Sequence, residues 1–408
     1  MTIEHGFSRR DFLKATAVMA AAGMMPSCVG LNPRSAGRMP EAMNRLPGYQ
    51  PCVASCWVPG AGHPDYYHLF KKTAEAATDF SWLRPGDRVL VKLALNSGKP
   101  FPATSDPWSL YCVVKLLYEK GAGQVLAGDQ SGVESVHWTA AAKRGSSREC
   151  CRSAGLLRVI DETGARPVFF EEAGYDAYRE TRSEGSSHWD RPLYVSNILD
   201  QVDHLVYLPR VGSHIMGDIT SGMKLGVGFL REDSRLLFHQ GGSAFYAMYE
   251  EVNQVPEIRS RLRLLISSGR RVLANFGPDN GHVVAPGQGL VFASTDILAH
   301  EVFASAWLKW NRRESIPFYS DATSGTLTRF RSLINKGFVR WIWKDDYWLN
   351  ATPSLPFYQA GNIYSHPAVQ NALKRNGGLP EDIHWEDINP EEADAVASAF
   401  IRGCLLTG

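Results

Sequence analysis

Side chains that bind anions or move protons follow the ends of predicted strands. A lysine there binds an anion as a point charge, and a desolvated one acts as a base. A histidine and an aspartate form an acid–base pair that works near neutral pH. We therefore predict a site for a small carboxylate or phosphate. Its catalytic residues are Lys92, Asp129 and His214, and its ligand-binding residues are Asn96, Arg210, Thr220, Lys224 and Asp296.

The same side chains also permit a metal site. His214, His239 and Asp129 are predicted ligands of a divalent ion such as zinc, nickel or iron, with His282 and Asp218 as further candidates. No His-x-x-x-His spacing supports this second hypothesis. Taken singly, each residue also fits a structural role, such as a lysine at a sheet edge or an aspartate that caps a helix.

A glycine-rich stretch surrounds Lys224. Gly217, Gly222, Gly226 and Gly228 resemble a phosphate loop, but Met223 separates Gly222 from Lys224 and Leu225 replaces the serine or threonine. This spacing excludes an NTPase loop. A looser anion-binding nest and a simple connector both stay open.

Alternating strands and helices must position these residues. Leu90–Leu95 is a continuous apolar strand and residues 124–129 are the next strand; with the helix that starts near Trp108 between them they form a βαβ unit. The alternation continues to a helix over 296–310, with a helix also predicted over 257–267. The fold class is α/β, a mostly parallel sheet sandwiched by helices in one or two lobes. An aromatic-rich C-terminal region follows, with a cluster over 338–348.

The N-terminus carries an export address. Ser8-Arg9-Arg10-Asp11-Phe12-Leu13-Lys14 precedes a short, weakly apolar run, and this order resembles the twin-arginine (Tat) signal. The resemblance implies the translocase as a transient partner and a periplasmic location. Cys28 resembles a lipidation site, with cleavage at a nearby small residue as the alternative. The predicted organisation is a signal peptide over 1–28, a tether over 29–50, an α/β domain over 51–311 and a C-terminal subdomain over 312–408.

Composition narrows the class of protein. The 408 residues contain 43 Lys+Arg against 42 Asp+Glu, a formal charge of +1, which disfavours a general nucleic-acid binder. Hydrophobic residues make up 44% of the chain, as in a globular protein with a large core. No Cys-x-x-Cys occurs, so the sequence has no iron–sulfur or thioredoxin motif. The spacing of Cys52 and Cys56 permits a small disulfide in an oxidising compartment, but taken alone each cysteine is interpreted as a small buried side chain.

Several segments in order resemble the family named domain of unknown function 362 (DUF 362). They include Val91-Lys92-Leu93-Ala94-Leu95-Asn96, Gly128-Asp129, Pro209-Arg210-Val211-Gly212-Ser213-His214, Thr220-Ser221-Gly222-Met223-Lys224, His239, Gly277-Pro278 and Ser294-Thr295-Asp296. The resemblance covers residues 85–311. The chain departs from the family pattern at Gly212, Leu225 and His300, where a lysine, an asparagine and an aspartate are usual. The resemblance implies a fold and a location, since the family has no settled activity.

Two classes of function follow. The first is an exported protein that binds a small anion in an α/β cleft and carries out acid–base chemistry of the isomerase or racemase kind, with or without a metal. The second is a non-enzymatic periplasmic binding protein or accessory lipoprotein that assists an exported redox system. Membrane contact is expected only through the signal peptide or a lipidated Cys28.

Overall fold

The structure is a computed structural model that describes residues 45–59, 65–185, 188–214, 216–239, 244–274, 277–315 and 362–406. The predicted signal peptide, Cys28 and most of the predicted tether lie outside the described residues. The aromatic cluster over 338–348 lies outside them as well.

The strands of the described residues vary in length from two residues to the twelve of β13. They are β1 (Arg45–Leu46), β2 (Cys52–Pro59), β3 (Arg88–Leu93), β4 (Gln124–Asp129), β5 (His137–Trp138), β6 (Lys143–Arg144), β7 (Arg166–Phe169), β8 (Tyr178–Thr181), β9 (Leu193–Ser196), β10 (His204–Leu208), β11 (Arg210–His214), β12 (Asp218–Thr220), β13 (Leu262–Leu273), β14 (Val283–Val284), β15 (Gln288–Ser294), β16 (Leu379–Pro380) and β17 (His384–Asp387).

The α-helices of the described residues flank these strands. They are α1 (Tyr66–Ala77), α2 (Pro107–Glu119), α3 (Ser147–Ser153), α4 (Leu156–Glu162), α5 (Gly222–Leu225), α6 (Glu232–His239), α7 (Phe245–Glu251), α8 (Pro256–Arg259), α9 (Ile297–Ser315), α10 (Pro367–Asn376) and α11 (Ala395–Leu405).

One sheet of eleven strands organises the described part of the chain. Its main path runs β17-β2-β15-β13-β10-β3-β4-β7, with β11, β12 and β14 joined beside β13. Along this path only β15 is antiparallel to its neighbours, β13 and β2, and the other pairs are parallel. The predicted fold class, a mostly parallel α/β sheet, is confirmed.

Helices cover both faces of the sheet, because the central strands are apolar on both. Val89, Val91 and Leu93 of β3 pack with helices α1, α2 and α4 in one buried cluster. Leu90, on the opposite face of the same strand, packs in a second cluster with side chains of α5, α7 and α9. Side chains alternate along a strand, so Lys92 shares the face of Leu90 and points toward the second cluster.

One prediction about local structure is wrong, and one of two alternatives is excluded. The predicted helix over 257–267 is a short helix, α8, followed by the start of β13. Its apolar run Leu264-Leu265-Ile266 fits a buried strand as well as a helix, and periodicity does not separate the two. Cys52 and Cys56 lie four residues apart on the extended strand β2, about 13 Å in length, which is too far for a disulfide.

The C-terminal segment joins the same architecture. β17 pairs in parallel with β2 at the edge of the main sheet, and α11 packs on α9. Aromatic contacts accompany this packing, with ring centroids 5.4 Å apart for Phe303 and Trp385 and 5.6 Å apart for Trp310 and Phe400. Among the helices that the structure describes, none is long and apolar enough to cross a membrane.

Candidate functional site

The carboxyl ends of the parallel strands β3, β4 and β10 meet at one edge of the sheet. This is the edge at which α/β proteins place ligands. Lys92 lies at the end of β3, Asp129 ends β4, and β10 leads into β11 after a single residue, Pro209. The topology therefore gathers the residues predicted from three separate segments of the sequence.

Lys92 and Asp129 form a buried ion pair. The Lys92 Nζ lies 2.6 Å from Asp129 Oδ1, and the two side chains are 0% and 6% exposed. The Lys92 amine also donates to the Leu93 carbonyl, while the Asp129 carboxylate accepts from the amides of Leu95 and Gln130. Burial lowers the pKa of Lys92 to about 8, although Asp129 opposes the shift. Asp129 is thus engaged by Lys92 and by backbone amides, and the predicted pairing with His214 does not form.

Gly228 closes over this ion pair. A Cβ at position 228 would lie 2.2 Å from Lys92 Nζ and 2.3 Å from Asp129 Oδ1, so no larger residue fits without a shift. Arg235 holds the same turn, because its guanidinium donates to the carbonyls of Gly228, Leu230, Gln130 and Ser131. The ion pair is enclosed by well-bonded neighbours, which indicates a role in positioning the strand ends.

The hairpin of β11 and β12 places three predicted residues on one face. Arg210 and His214 lie four residues apart on β11, and Thr220 lies on β12 directly across from Gly212. Residues two or four apart on a strand share a face, as do residues directly opposite on paired strands. A Cβ at Gly212 would lie 3.3 Å from an Arg210 guanidinium nitrogen. Gly212, where the family pattern has a lysine, therefore leaves room for the Arg210 guanidinium.

Arg210 is a buried cation with few protein partners. The residue is 2% exposed, and among the described residues its guanidinium makes one hydrogen bond, at 3.3 Å to the Pro102 carbonyl, and no ion pair within 4.0 Å. Burial lowers its pKa to about 10, and the negative charge of Asp279 partly offsets that effect. Buried guanidinium groups normally have a carboxylate or several acceptors, so Arg210 is equipped to receive an anion.

His214 is a neutral hydrogen-bond donor. Its Nδ1 accepts from the amides of Met216 and Gly217, both at 3.1 Å, and this assigns the proton to Nε2. Burial, with the charges of Lys224 and Arg210 beside it, lowers the pKa of His214 well below its ordinary value. The imidazole therefore stays uncharged and offers an Nε2–H group.

Lys224 belongs to the short helix α5, which follows β12 directly. The carboxylate of Glu301, on α9, accepts from the amide of Met223 at 2.9 Å and so fastens the first turn of this helix. The Lys224 stem passes the hairpin, since its Cδ and Cε lie 3.6 Å from the position of a Cβ at Gly217. Glu301 is 1% exposed, and burial raises its pKa to about 7.

The amine of Lys224 sits in positive surroundings. Burial, then the charges of Arg210 and Arg235, lowers its pKa to about 7, and Asp279 opposes the shift. His239 faces the same charges: burial and Lys224 lower its pKa to about 3, while its Nδ1 bonds the Arg235 carbonyl at 2.7 Å. We call Arg210 and Lys224, together with the neutral imidazoles of His214 and His239 beside them, the cationic cluster.

Asp279 supplies the counter-charge at the border of this cluster. Its Oδ1 accepts from Asn96 Nδ2 at 2.9 Å and from Ser97 Oγ at 2.7 Å. The loop after β3 is thereby tied to the loop after β13, and Asn96 joins the site through this carboxylate. Asn96 and Asp279 both remain partly exposed.

Asp296 is not brought to the cluster. It follows β15, and because β15 runs antiparallel to β13, this strand ends at the opposite edge of the sheet. The carboxylate caps α9 by accepting from the amide of Ala299, and it accepts from the hydroxyl of Tyr49 at 2.7 Å. The family pattern places an acidic residue here, and in this chain its contacts are those of a helix cap.

The predicted metal ligands are not assembled into a donor set. Within the residues that the structure describes, no three His, Cys, Asp or Glu side chains come close enough to hold an ion. Asp129 is bound to Lys92, Asp218 accepts from the Tyr246 hydroxyl at 3.2 Å, and His282 is exposed in a turn. The Nδ1 atoms of His214 and His239 are both hydrogen-bonded to backbone groups.

Three residues of the site do not appear among the predictions. Arg235 precedes His239 by four residues on α6, so helical spacing alone places it on the same face. Asp279 directly follows the Gly277-Pro278 pair and meets Asn96 across 183 residues, a separation that no local pattern spans. Glu301 lies on α9, whose residues 298–308 are all buried, and no spacing or motif in the sequence singles it out.

The fold and site define an α/β protein with a buried cationic cluster at the carboxyl edge of its sheet. The profile of the family described as domain of unknown function (DUF362) matches residues 89–306, more than half of the chain, and the protein belongs to this family. The profile of the twin-arginine translocation pathway signal sequence matches residues 6–26. The chain is thus exported across the cytoplasmic membrane by the twin-arginine translocase. No curated protein matches the chain.

Proposed function

We propose that this exported protein binds a small carboxylate or phosphate on the cationic cluster and transfers a proton to or from it. The observation that carries the proposal is Arg210, a 2% exposed guanidinium with one hydrogen bond and no ion pair among the described residues. Leaving a buried charge unpaired costs several kcal/mol, and a bound anion removes that cost.

The charge balance favours an anion over a neutral ligand. Arg210 contributes positive charge, the protonated form of Lys224 adds to it, and Arg235 keeps its own charge although neutral carbonyls satisfy its donors. Asp279, the carboxylate whose charge acts on both Arg210 and Lys224, already accepts from Asn96 and Ser97. A hydrogen bond to a charged group contributes about 1.5–3 kcal/mol, so two or three such bonds suffice for specific binding.

Two members of the cluster suit proton transfer. The amine of Lys224, with its pKa lowered to about 7, is an effective base at neutral pH. His214 offers an Nε2–H group that can stabilise negative charge developing on an oxygen of the ligand. Proton abstraction next to a carboxylate or carbonyl group is the step common to isomerases and racemases.

Calorimetric titration of the exported protein with inorganic phosphate and with pyruvate tests the binding step. Arg210→Gln is expected to weaken binding at least tenfold, because it removes a charge-assisted contact. Arg152→Gln is the matched control, since Arg152 is 57% exposed in a surface pair with Glu149. Equal affinities of the wild type and the Arg210 variant, or no binding of either anion, would refute the proposal.

Exchange of the pyruvate methyl protons with D2O, followed by NMR, tests the proton transfer. Catalysed exchange that is lost in Lys224→Met supports the enzyme. Binding without exchange supports the second hypothesis, a periplasmic binding or accessory protein.

We further propose that the exported chain resides in the periplasm and is anchored there by a lipid on Cys28. The support is the order of a twin-arginine signal followed by a cysteine soon after its apolar run. Metabolic labelling with palmitate should mark the wild type and leave Cys28→Ala unlabelled and in the soluble fraction. Unlabelled wild-type protein would contradict the anchor.

A further inference from the structure

We infer that Lys224 is a covalent nucleophile for 2-oxo carboxylates, with which its amine forms an imine. The inference rests on the proposed anion-binding function and deepens it, because it names the substrate class and a bond that Lys224 forms, in place of the base role given to its free amine above. Its basis is the grouping of an amine, a guanidinium and a neutral imidazole donor on one hairpin and the helix that follows it.

The backbone brings these three groups to one place. Arg210 and His214 share a face of β11, and the chain returns along β12 to begin α5 two residues after Thr220. The aliphatic stem of Lys224 then runs beside Gly217, in the turn of that hairpin, with Cδ and Cε 3.6 Å from the position of its missing Cβ. The amine is therefore held against the hairpin that carries the other two groups.

This grouping matches the chemistry of a 2-oxo carboxylate. Such a molecule carries its carboxylate directly beside a carbonyl carbon. Arg210 has unused donors for the carboxylate, and the Nε2–H group of His214 suits the carbonyl oxygen. Inorganic phosphate offers the same charge without an electrophilic carbon, so it should bind and not react.

The amine is in the reactive state at neutral pH. With a pKa near 7, about half of the Lys224 side chains are uncharged at that pH, whereas an ordinary lysine with a pKa of about 10.4 is almost fully protonated. A neighbouring cation is a known means of activating a lysine for imine formation. Lys92 is no competitor, because its amine is fully buried in contact with Asp129 and Leu93.

The reaction balances without an external oxidant or reductant. The lone pair of Lys224 Nζ attacks the carbonyl carbon, a C–N bond forms, and the carbonyl electrons move to oxygen. That oxygen leaves as water with the two hydrogens of the neutral amine, which gives the imine. In the laboratory, borohydride adds hydride to the imine carbon and water protonates the nitrogen, so the product is a stable secondary amine.

Borohydride trapping of the full-length exported protein with pyruvate tests the inference. The expected result is one adduct per chain, with the mass of pyruvic acid less one oxygen atom, mapped to Lys224 by peptide mass spectrometry. Excess inorganic phosphate should suppress it, and its rate of formation should rise with pH through about 7. Lys72→Met, which removes an exposed lysine, should keep the adduct.

Two variants remove the nucleophile in different ways. Lys224→Met and Lys224→Arg should each give at least tenfold less adduct. The arginine variant keeps the positive charge, so it serves as the test if the methionine variant does not fold. Pyruvate that binds by calorimetry but gives no adduct, or adducts spread over surface lysines, would overturn the inference and leave the anion-binding proposal standing. Failure of both pyruvate and phosphate to bind would overturn both.

Discussion

The buried ion pair of Lys92 and Asp129 makes a quantitative prediction when it is compared with an exposed pair of equal length. Both Lys92–Asp129 and Arg158–Glu162 are 2.6 Å apart, but the first pair is 0% and 6% exposed and the second is 82% and 51% exposed. The two pairs differ in residue type and secondary structure, and their side chains differ strongly in burial.

Two double-mutant cycles measure what burial does. Lys92→Met and Asp129→Asn should each lower the free energy of unfolding by about 3–5 kcal/mol, because each leaves the other polar group buried without its partner. The double variant should cost less than the sum of the single variants by about 2–3 kcal/mol. The corresponding coupling for Arg158→Met and Glu162→Gln should be below about 0.5 kcal/mol.

Urea unfolding followed by tryptophan fluorescence at pH 6.5 is the assay, since Lys92 carries its charge there. Each buried single variant should move the midpoint by on the order of 1 M urea. A coupling energy of the buried pair no larger than that of the exposed pair would refute the argument. It would show that the strand ends are held by other contacts.

Three further predictions use the same assay. Gly228→Ala should destabilise the protein by about 1–3 kcal/mol, because the added Cβ would meet the buried ion pair. Gly403→Ala is the control: no atom lies within 4 Å of its added Cβ, so it should be neutral or stabilising. Equal effects of the two changes would contradict the close packing at Gly228. The pKa of Lys224 is lower in the folded state than in the unfolded chain, so wild-type stability should rise with pH between about 7 and 10.4. If Lys224→Met shows the same rise, other groups cause it. Folding raises the pKa of Glu301 to about 7, so wild-type stability should fall as pH rises from about 4.3 to 7. Glu301→Gln keeps an acceptor for the Met223 amide and should not show that fall. The same pH profile in this variant would show that another group titrates.

The sequence by itself determined the export signal and the fold class. The order of Arg9, Arg10 and the apolar run is a local pattern that needs no tertiary context, and the matched signal profile confirms it. The strands at β3 and β4 were predictable because apolar runs indicate burial on both faces. The family could also be recognised from short segments in order.

Only the tertiary structure decided which polar residues meet. Lys92, Asp129, Arg210, His214 and Lys224 all follow or end strands at the same sheet edge, as predicted, yet Asp129 bonds Lys92 and not His214. Pairing of this kind depends on strand register and on how loops close, and neither is encoded in local spacing.

The position of Asp296 could not be predicted from local sequence either. It follows a strand end as the other predicted residues do, but β15 runs antiparallel to β13, which sends its carboxylate to the opposite edge. Strand direction is set by the whole topology. Asp279 reaches Asn96, and Glu301 reaches the helix of Lys224, across long separations for the same reason: burial and charge act through space, and folding alone brings those segments together.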